Sequence, residues 1–369
     1  MLANALPGGY RVAGVFAFTQ LLSFEKSAEF STQYFWLGFA GTITAIPIAS
    51  ICYSKIHKLN GIQVITLITV SSILSTTIIN FICQSNSKTF FWNILIATIL
   101  MAFFEVERTK LAVNGKFQRL TLALLFSCSS LILSILFFKE NIRLEITFFV
   151  LLLSLPVLAQ GAISQQSQLP TIKWKNLVFS FIGFSVSGCL STGLFFLLPL
   201  IIISEYGDSS APNIARMFVL SSAFFLLPRT LSAKSISALR DGNFRYNDVK
   251  QICVVIFFVS IFIFGFFLFV SLIWFHEFLS LFALAFGLLT TQFALPFSNA
   301  LMVGGNYQDI LSINIYYATL FAVLTILTIL CLDQGSDRAV IICIAFTISN
   351  LVKIRLTSNK VRTLLKDLK

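Results

Sequence analysis

The sequence predicts an all-α, polytopic membrane protein of about 12 transmembrane helices, arranged as two six-helix lobes related by a parallel pseudo-two-fold repeat. Three observations lead there. Only 11% of the 369 residues are charged, against about 25% in soluble domains, and the mean hydropathy is +0.89. Apolar stretches long enough to cross a bilayer recur along the whole chain, separated by connections that are alternately rich and poor in Lys and Arg. A ten-residue motif also returns at an offset of 190.

A window of about 19 residues places the spans of the first half at 6–24, 32–54, 61–83, 89–104, 118–138 and 142–163. The first is diluted by Pro7, Gly8, Gly9, Tyr10 and Arg11, and eleven spans remain if it does not cross. The second carries Pro47 and closes at Lys55 and Lys58; the third closes before Lys88. Arg108, Lys110, Lys116 and Arg119 separate the fourth from the fifth, and Lys139 and Arg143 separate the fifth from the sixth. The polar stretch Ser164 to Asn176, with Pro170 inside it, follows as a linker. The second half places spans at 177–203, 210–233, 251–274, 278–303, 311–332 and 339–352.

Counted from a cytoplasmic N-terminus, 18 Lys and Arg fall on the inner side, 5 on the outer side and 3 inside spans. This asymmetry satisfies the positive-inside rule and predicts that both termini are cytoplasmic. It also accounts for the net charge of +11 without a nucleic-acid partner. A signal peptide does not fit the start, because no basic residue precedes the first apolar run. From Lys353 to Lys369 bases alternate with Ile354, Leu356, Val361, Leu364, Leu365 and Leu368. This tail is either an amphipathic helix on an anionic leaflet or a solvated end that fixes orientation.

The recurring motif is LAVNGKFQRL at 111–120 and LMVGGNYQDI at 301–310, each at the inner end of the fourth helix of its set. Pro47 and Pro228 lie in the second helix of each set. Six spans is an even number, so duplicated halves enter the membrane in the same direction, a known transporter plan with the substrate site between halves. The domains expected are an N-terminal lobe at 1–163, a cytoplasmic linker at 164–176 and a C-terminal lobe with a basic tail at 177–369. Aligned on its own second half, the first span would begin before Met1, which suggests a clipped start.

Arg11, Arg216 and Arg229 stand inside spans, and no Asp or Glu shares the middle of a span as bounded above. A charge at bilayer depth costs about 2.5 to 3.5 kcal/mol on insertion scales, so it commonly faces a polar cavity. Guanidinium groups suit phosphate through paired, charge-assisted hydrogen bonds. The three form a candidate cationic cavity for an anionic substrate. Structural roles compete: Arg11 and Arg229 are near enough to the cytoplasmic face to snorkel, and Arg216 could meet Glu205 or Asp208. Pro47, Pro156, Pro199, Pro228 and Pro296 could bend helices around such a cavity or mark plain packing kinks. Gln20, Gln160, Ser191, Thr192 and Asn299 could bond sugars or bridge helices.

No catalytic residue, cofactor or metal is expected. The seven cysteines are scattered singly with no metal-ligand spacing, and His57 and His276 sit at span edges. An anion leaving an inside-negative cell gains about 2.3 kcal/mol per charge per 100 mV, which supplies a driving force without ion exchange.

The segment at 177–207, LVFSFIGFSVSGCLSTGLFFLLPLIIISEYG, led by Lys173, Trp174 and Lys175, resembles the opening of the second lobe in the polysaccharide exporter branch of the multidrug/oligosaccharidyl-lipid/polysaccharide (MOP) superfamily. The stretch at 293–314, FALPFSNALMVGGNYQDILSIN, resembles the tenth helix and following turn of that branch. The resemblance implies a flippase for O-antigen or a related polyprenyl-diphosphate-linked oligosaccharide, acting in a bacterial cytoplasmic membrane. Its partners would be the lipid-linked anionic oligosaccharide, the bilayer and, as a further candidate, polysaccharide polymerase machinery. Two alternatives stand beside it. A multidrug or cation exporter of the same superfamily would place an acidic residue in its cavity. A membrane-embedded glycan polymerase or acyltransferase would need a catalytic acid, base or histidine near a sizeable loop.

Overall fold

A computed structural model describes residues 2–52, 59–83, 87–113, 115–137, 144–162, 173–223, 246–274, 278–303 and 307–367. Among these the chain is helical throughout, with no strand, and seven helices are long and apolar enough to cross a membrane. Backbone contacts divide it into two compact units, Leu2–Leu197 and Leu198–Lys369.

The first unit is built from α1 (Leu2–Leu21), α2 (Phe24–Ile43), α3 (Ala45–Cys52), α4 (Gly61–Ile82), α5 (Lys88–Val113), α6 (Phe117–Phe137), α7 (Glu145–Ala162) and α8 (Trp174–Gly188). The start of α4 is set by a capping box: Asn60 Oδ1 accepts from the Ile62 N–H at 3.0 Å, and Gln63 Oε1 accepts from the Asn60 N–H at 2.9 Å. The repeated motif closes α5, where Gly115 takes φ +70° while Lys116 N–H bonds the Leu111 carbonyl at 2.9 Å. A left-handed residue after a helix favours glycine because it has no Cβ to clash. The counterpart Gly305 lies outside the described residues.

The diluted first span forms a packed helix. Tyr10 is buried and donates to the Phe149 carbonyl at 2.7 Å, and Phe18, Phe30, Tyr34 and Phe149 complete an aromatic cluster around it. A second cluster joins Ala45 and Ile48 on α3, Ile68 on α4, and Ala102 and Val106 on α5.

α2 and α3 are one apolar stretch broken at Thr44, just before Pro47. Proline has no N–H for the carbonyl four residues earlier, here Ile43. That carbonyl accepts instead from Ser185 Oγ on α8 at 3.0 Å. α8 approaches closely because Gly188 lacks a side chain; a Cβ there would stand 2.9 Å from the Thr42 carbonyl oxygen. A π-helical turn, Cys189–Gly193, then leads into α9 (Leu194–Tyr206), within which the division between the units falls. Ser191 and Thr192 belong to this turn.

The second unit continues from α9 through a turn at Gly207, φ +87°, to α10 (Ala211–Ala223), α11 (Tyr246–Trp274), α12 (Phe278–Val303), α13 (Tyr307–Cys331) and α14 (Ser336–Asp367). α14 packs along both α12 and α13. Gly287 of α12 sits where a Cβ would come within 3.2 Å of Phe346 and Thr347. α14 runs for 32 residues, about 48 Å, well beyond the 30 Å or so of hydrocarbon. The basic stretch therefore continues the last span as one helix as far as Asp367. Val361 is fully buried there with Val249, Phe297 and Ile313, and Lys360 pairs with Asp309 at 2.9 Å.

Candidate functional site

Arg11 lies on α1 with Glu105 of α5 as its neighbour, Nη2 to Oε1 3.8 Å. Arg11 therefore has a carboxylate partner, although no Asp or Glu shares the middle of a span as the sequence bounds it. α5 runs to Val113 as one helix, so Glu105 and Glu107 belong to the spanning element instead of the loop after it. Glu105 is engaged more closely by Arg108, whose Nε and Nη2 lie 2.9 and 2.6 Å from Oε2. Glu107 pairs with Lys110 at 2.6 Å, and its carboxylate occupies the space beside Gly161 of α7.

Arg216 is partly buried on α10 in the second unit, and Glu205, one of the carboxylates expected near it, is held by Arg338 at 2.7 Å. Arg229, Pro228 and His276 lie outside the described residues. Of the three candidate cavity residues, Arg11 belongs to the first unit and Arg216 to the second.

Two further polar clusters were not legible in the sequence. On the first unit α2 begins at Phe24, which brings Glu29 into the helix. Thr147 N–H and Oγ1 meet Asn93 Oδ1, Asn93 Nδ2 donates to Gln33 Oε1 at 2.7 Å, and Gln33 Nε2 donates to Glu29 Oε1 at 2.8 Å. Every donor in this chain across α7, α5 and α2 points toward the Glu29 carboxylate, which is exposed. Lys26 and Glu145 pair nearby at 3.5 Å. On the second unit Lys353 of α14 is buried, with its ammonium 4.7 Å from the centre of the Tyr317 ring and Tyr317 bonded to Asn350. Counting bases for topology assigns Lys353 to the inner flank. The signal that could have singled it out is Asn350, one turn earlier on the same face.

No group of His, Cys, Asp and Glu among the described residues could hold a metal ion.

No protein-family model and no curated protein matches the sequence. Solved structures do match in fold. A eukaryotic MATE transporter aligns with TM-score 0.65 at 14% identity, covering 100% of this chain and 96% of its own. A multidrug resistance MATE family transporter of the MOP superfamily, in its outward-facing conformation, aligns with TM-score 0.62 at 12% identity, covering 100% and 94%. MATE in the bent conformation aligns with TM-score 0.61 at 13% identity, again over 100% and 94%. The chain thus has the fold of MATE transporters over its full described length.

Proposed function

We propose that this chain is a multi-pass membrane transporter, and that it exports amphipathic organic cations. The observation that carries the reading is the whole-length fold likeness to a multidrug resistance transporter. The first unit supports it, because Arg11 is met by Glu105, while Glu29 offers an exposed carboxylate at the end of a chain of hydrogen bonds. A cation leaving a polar, partly desolvated site needs such a partner. Fold alone does not choose a substrate. Ethidium efflux from cells lacking their main drug exporters tests this: expression should lower accumulation, and Glu29→Gln should undo part of that. Accumulation that is the same with and without the protein sinks the exporter reading.

A second reading is retained because the second unit points the other way. Its described carboxylates all lie within three residues of a helix end, whereas Arg216 and Lys353 sit inside helices. A positive second unit suits a polyprenyl-diphosphate-linked oligosaccharide, with Arg216 and Arg229 as its candidate diphosphate ligands and the prenyl chain in lipid. Deleting the gene would then leave lipid-linked repeat units facing the cytoplasm, and unchanged surface glycan removes this reading.

Under either reading the chain spans a bacterial cytoplasmic membrane about 12 times with both termini inside, as two six-helix lobes at 1–163 and 177–369 joined by the linker at 164–176. No covalent chemistry is required.

A further inference from the structure

Two neighbouring helices of the first unit, α4 and α5, carry unmet polar atoms, and a third, α2, leaves space. The cluster that joins Ala45, Ile68 and Ala102 is apolar and tightly closed. One turn further along, on the same faces as Ile68 and Ala102, stand Ser72 of α4 and Thr98 of α5, and four residues before Ala45, across the break at Thr44, stands Gly41 of α2. Gly41 is buried, yet a Cβ added there would meet no atom within 4 Å. Ser72 Oγ and Thr98 Oγ1 are fully buried and have no hydrogen-bond partner among the described residues. The series continues up α4 at helical spacing, because Thr76 Oγ1 and Asn80 Oδ1 are buried without partners as well.

Serine and threonine in apolar helices ordinarily bond the carbonyl a turn earlier, as Ser71 does to Leu67 at 2.5 Å. Ser72 and Thr76, on the same helix, do not. A hydroxyl left unmet inside a protein within lipid is costly, since no bulk solvent can reach it. Ser72 is the twelfth residue of α4, about 16 Å from its start and near the middle of a hydrocarbon layer of about 30 Å. Space beside Gly41 and four uncharged oxygen-bearing groups form a site for a small neutral ligand that both donates and accepts hydrogen bonds.

We propose that Gly41, Ser72 and Thr98 enclose a chamber of ordered water at mid-membrane depth, extended along α4 by Thr76 and Asn80. The inference is independent of the substrate carried.

X-ray hydroxyl-radical footprinting of the full chain in ¹⁸O-labelled water tests it. Ile68 and Ile79 are fully buried on α4, in sequence next to the chamber's residues, and Ile202 and Ile256 are fully buried in the second unit. The first pair should take up label several-fold faster than the second. Gly41→Leu should fill the space and bring the two pairs together; Gly41→Ala, whose methyl clashes with nothing, gives the same direction in a variant that folds. Equal uptake by both pairs in the unaltered protein overturns the proposal. Stability provides a sign test. Ser72→Ala should lower the melting temperature by about 2 °C if water satisfies the hydroxyl, whereas a rise means that the hydroxyl is dry and unpaired, and overturns it.

Discussion

The hydroxyl of Ser185 completes the backbone of a different helix by donating to the Ile43 carbonyl, 3.0 Å away, that Pro47 leaves open. The break in α2–α3 is therefore satisfied from α8. Ser185→Ala should leave a part-buried carbonyl without its donor and cost about 1 kcal/mol. Pro47→Ala returns an N–H to the same carbonyl, so Ser185→Ala should cost little in that background. Thermal unfolding of the four proteins in a double-mutant cycle measures the coupling. Equal losses in both backgrounds would show that Ser185 acts elsewhere.

Two glycines of α8 should respond oppositely to the same methyl group. Gly188 faces the Thr42 carbonyl oxygen at 2.9 Å from an added Cβ, and backbone cannot move aside cheaply; Gly183 faces open space. Gly188→Ala should destabilise by about 1–3 kcal/mol through overpacking. Gly183→Ala should stabilise by up to about 1 kcal/mol because alanine is the better helix former. Melting curves in detergent decide it, and a Gly188→Ala protein as stable as Gly183→Ala contradicts the close approach of α8 and α2.

Glu105 holds two arginines unequally, with Arg108 at 2.6 Å and Arg11 at 3.8 Å. Removing Arg11 leaves the carboxylate satisfied; removing the carboxylate leaves two guanidinium groups facing each other. Glu105→Gln should therefore destabilise more than Arg11→Met. The cost should be about 1–2 kcal/mol, below the 3–5 kcal/mol of a fully buried pair, since the three side chains keep 15–26% exposure. Thermal unfolding at low and high salt checks both order and size, and the reverse order would mean that Arg11 has a stronger partner than Glu105.

The apolar runs were legible because hydropathy is a local property. α4, α6 and α13 lie within a few residues of the predicted 61–83, 118–138 and 311–332. Charges next to those runs were not, because a window ends a span at the first charged residues it meets. Glu105 fell outside a span closed at 104, although its helix continues to Val113 and its partner Arg11 comes from α1, far away in sequence. Lys353 was hidden for a related reason, since only the fold shows that its ammonium lies over Tyr317. The glycine of the repeated motif, Gly115, takes the left-handed conformation at the end of α5, a role that the repeat alone did not reveal. The break at Thr44 was half readable: Pro47 announces it, but nothing in the local sequence names Ser185 as the donor that makes it tolerable.

The end of α9 is tied to the start of α14 by an ion pair that should dominate local stability. Glu205 Oε2 lies 2.7 Å from Arg338 Nε, the two side chains keep only 4% and 15% exposure, and Gln334 Nε2 donates to the Ser204 carbonyl at 2.7 Å beside them. Glu205→Gln keeps the shape but leaves a guanidinium without its charge partner, which should cost about 3–5 kcal/mol. Replacing both residues by apolar ones, Glu205→Leu with Arg338→Met, should recover most of that loss, because a desolvated pair contributes little net stability over hydrocarbon of similar size. Amide exchange at Gly335 and Ala339, compared across the single and double variants, localises the effect. If the double variant opens as readily as Glu205→Gln, the charge pair itself, and not the filling of that space, holds α9 to α14.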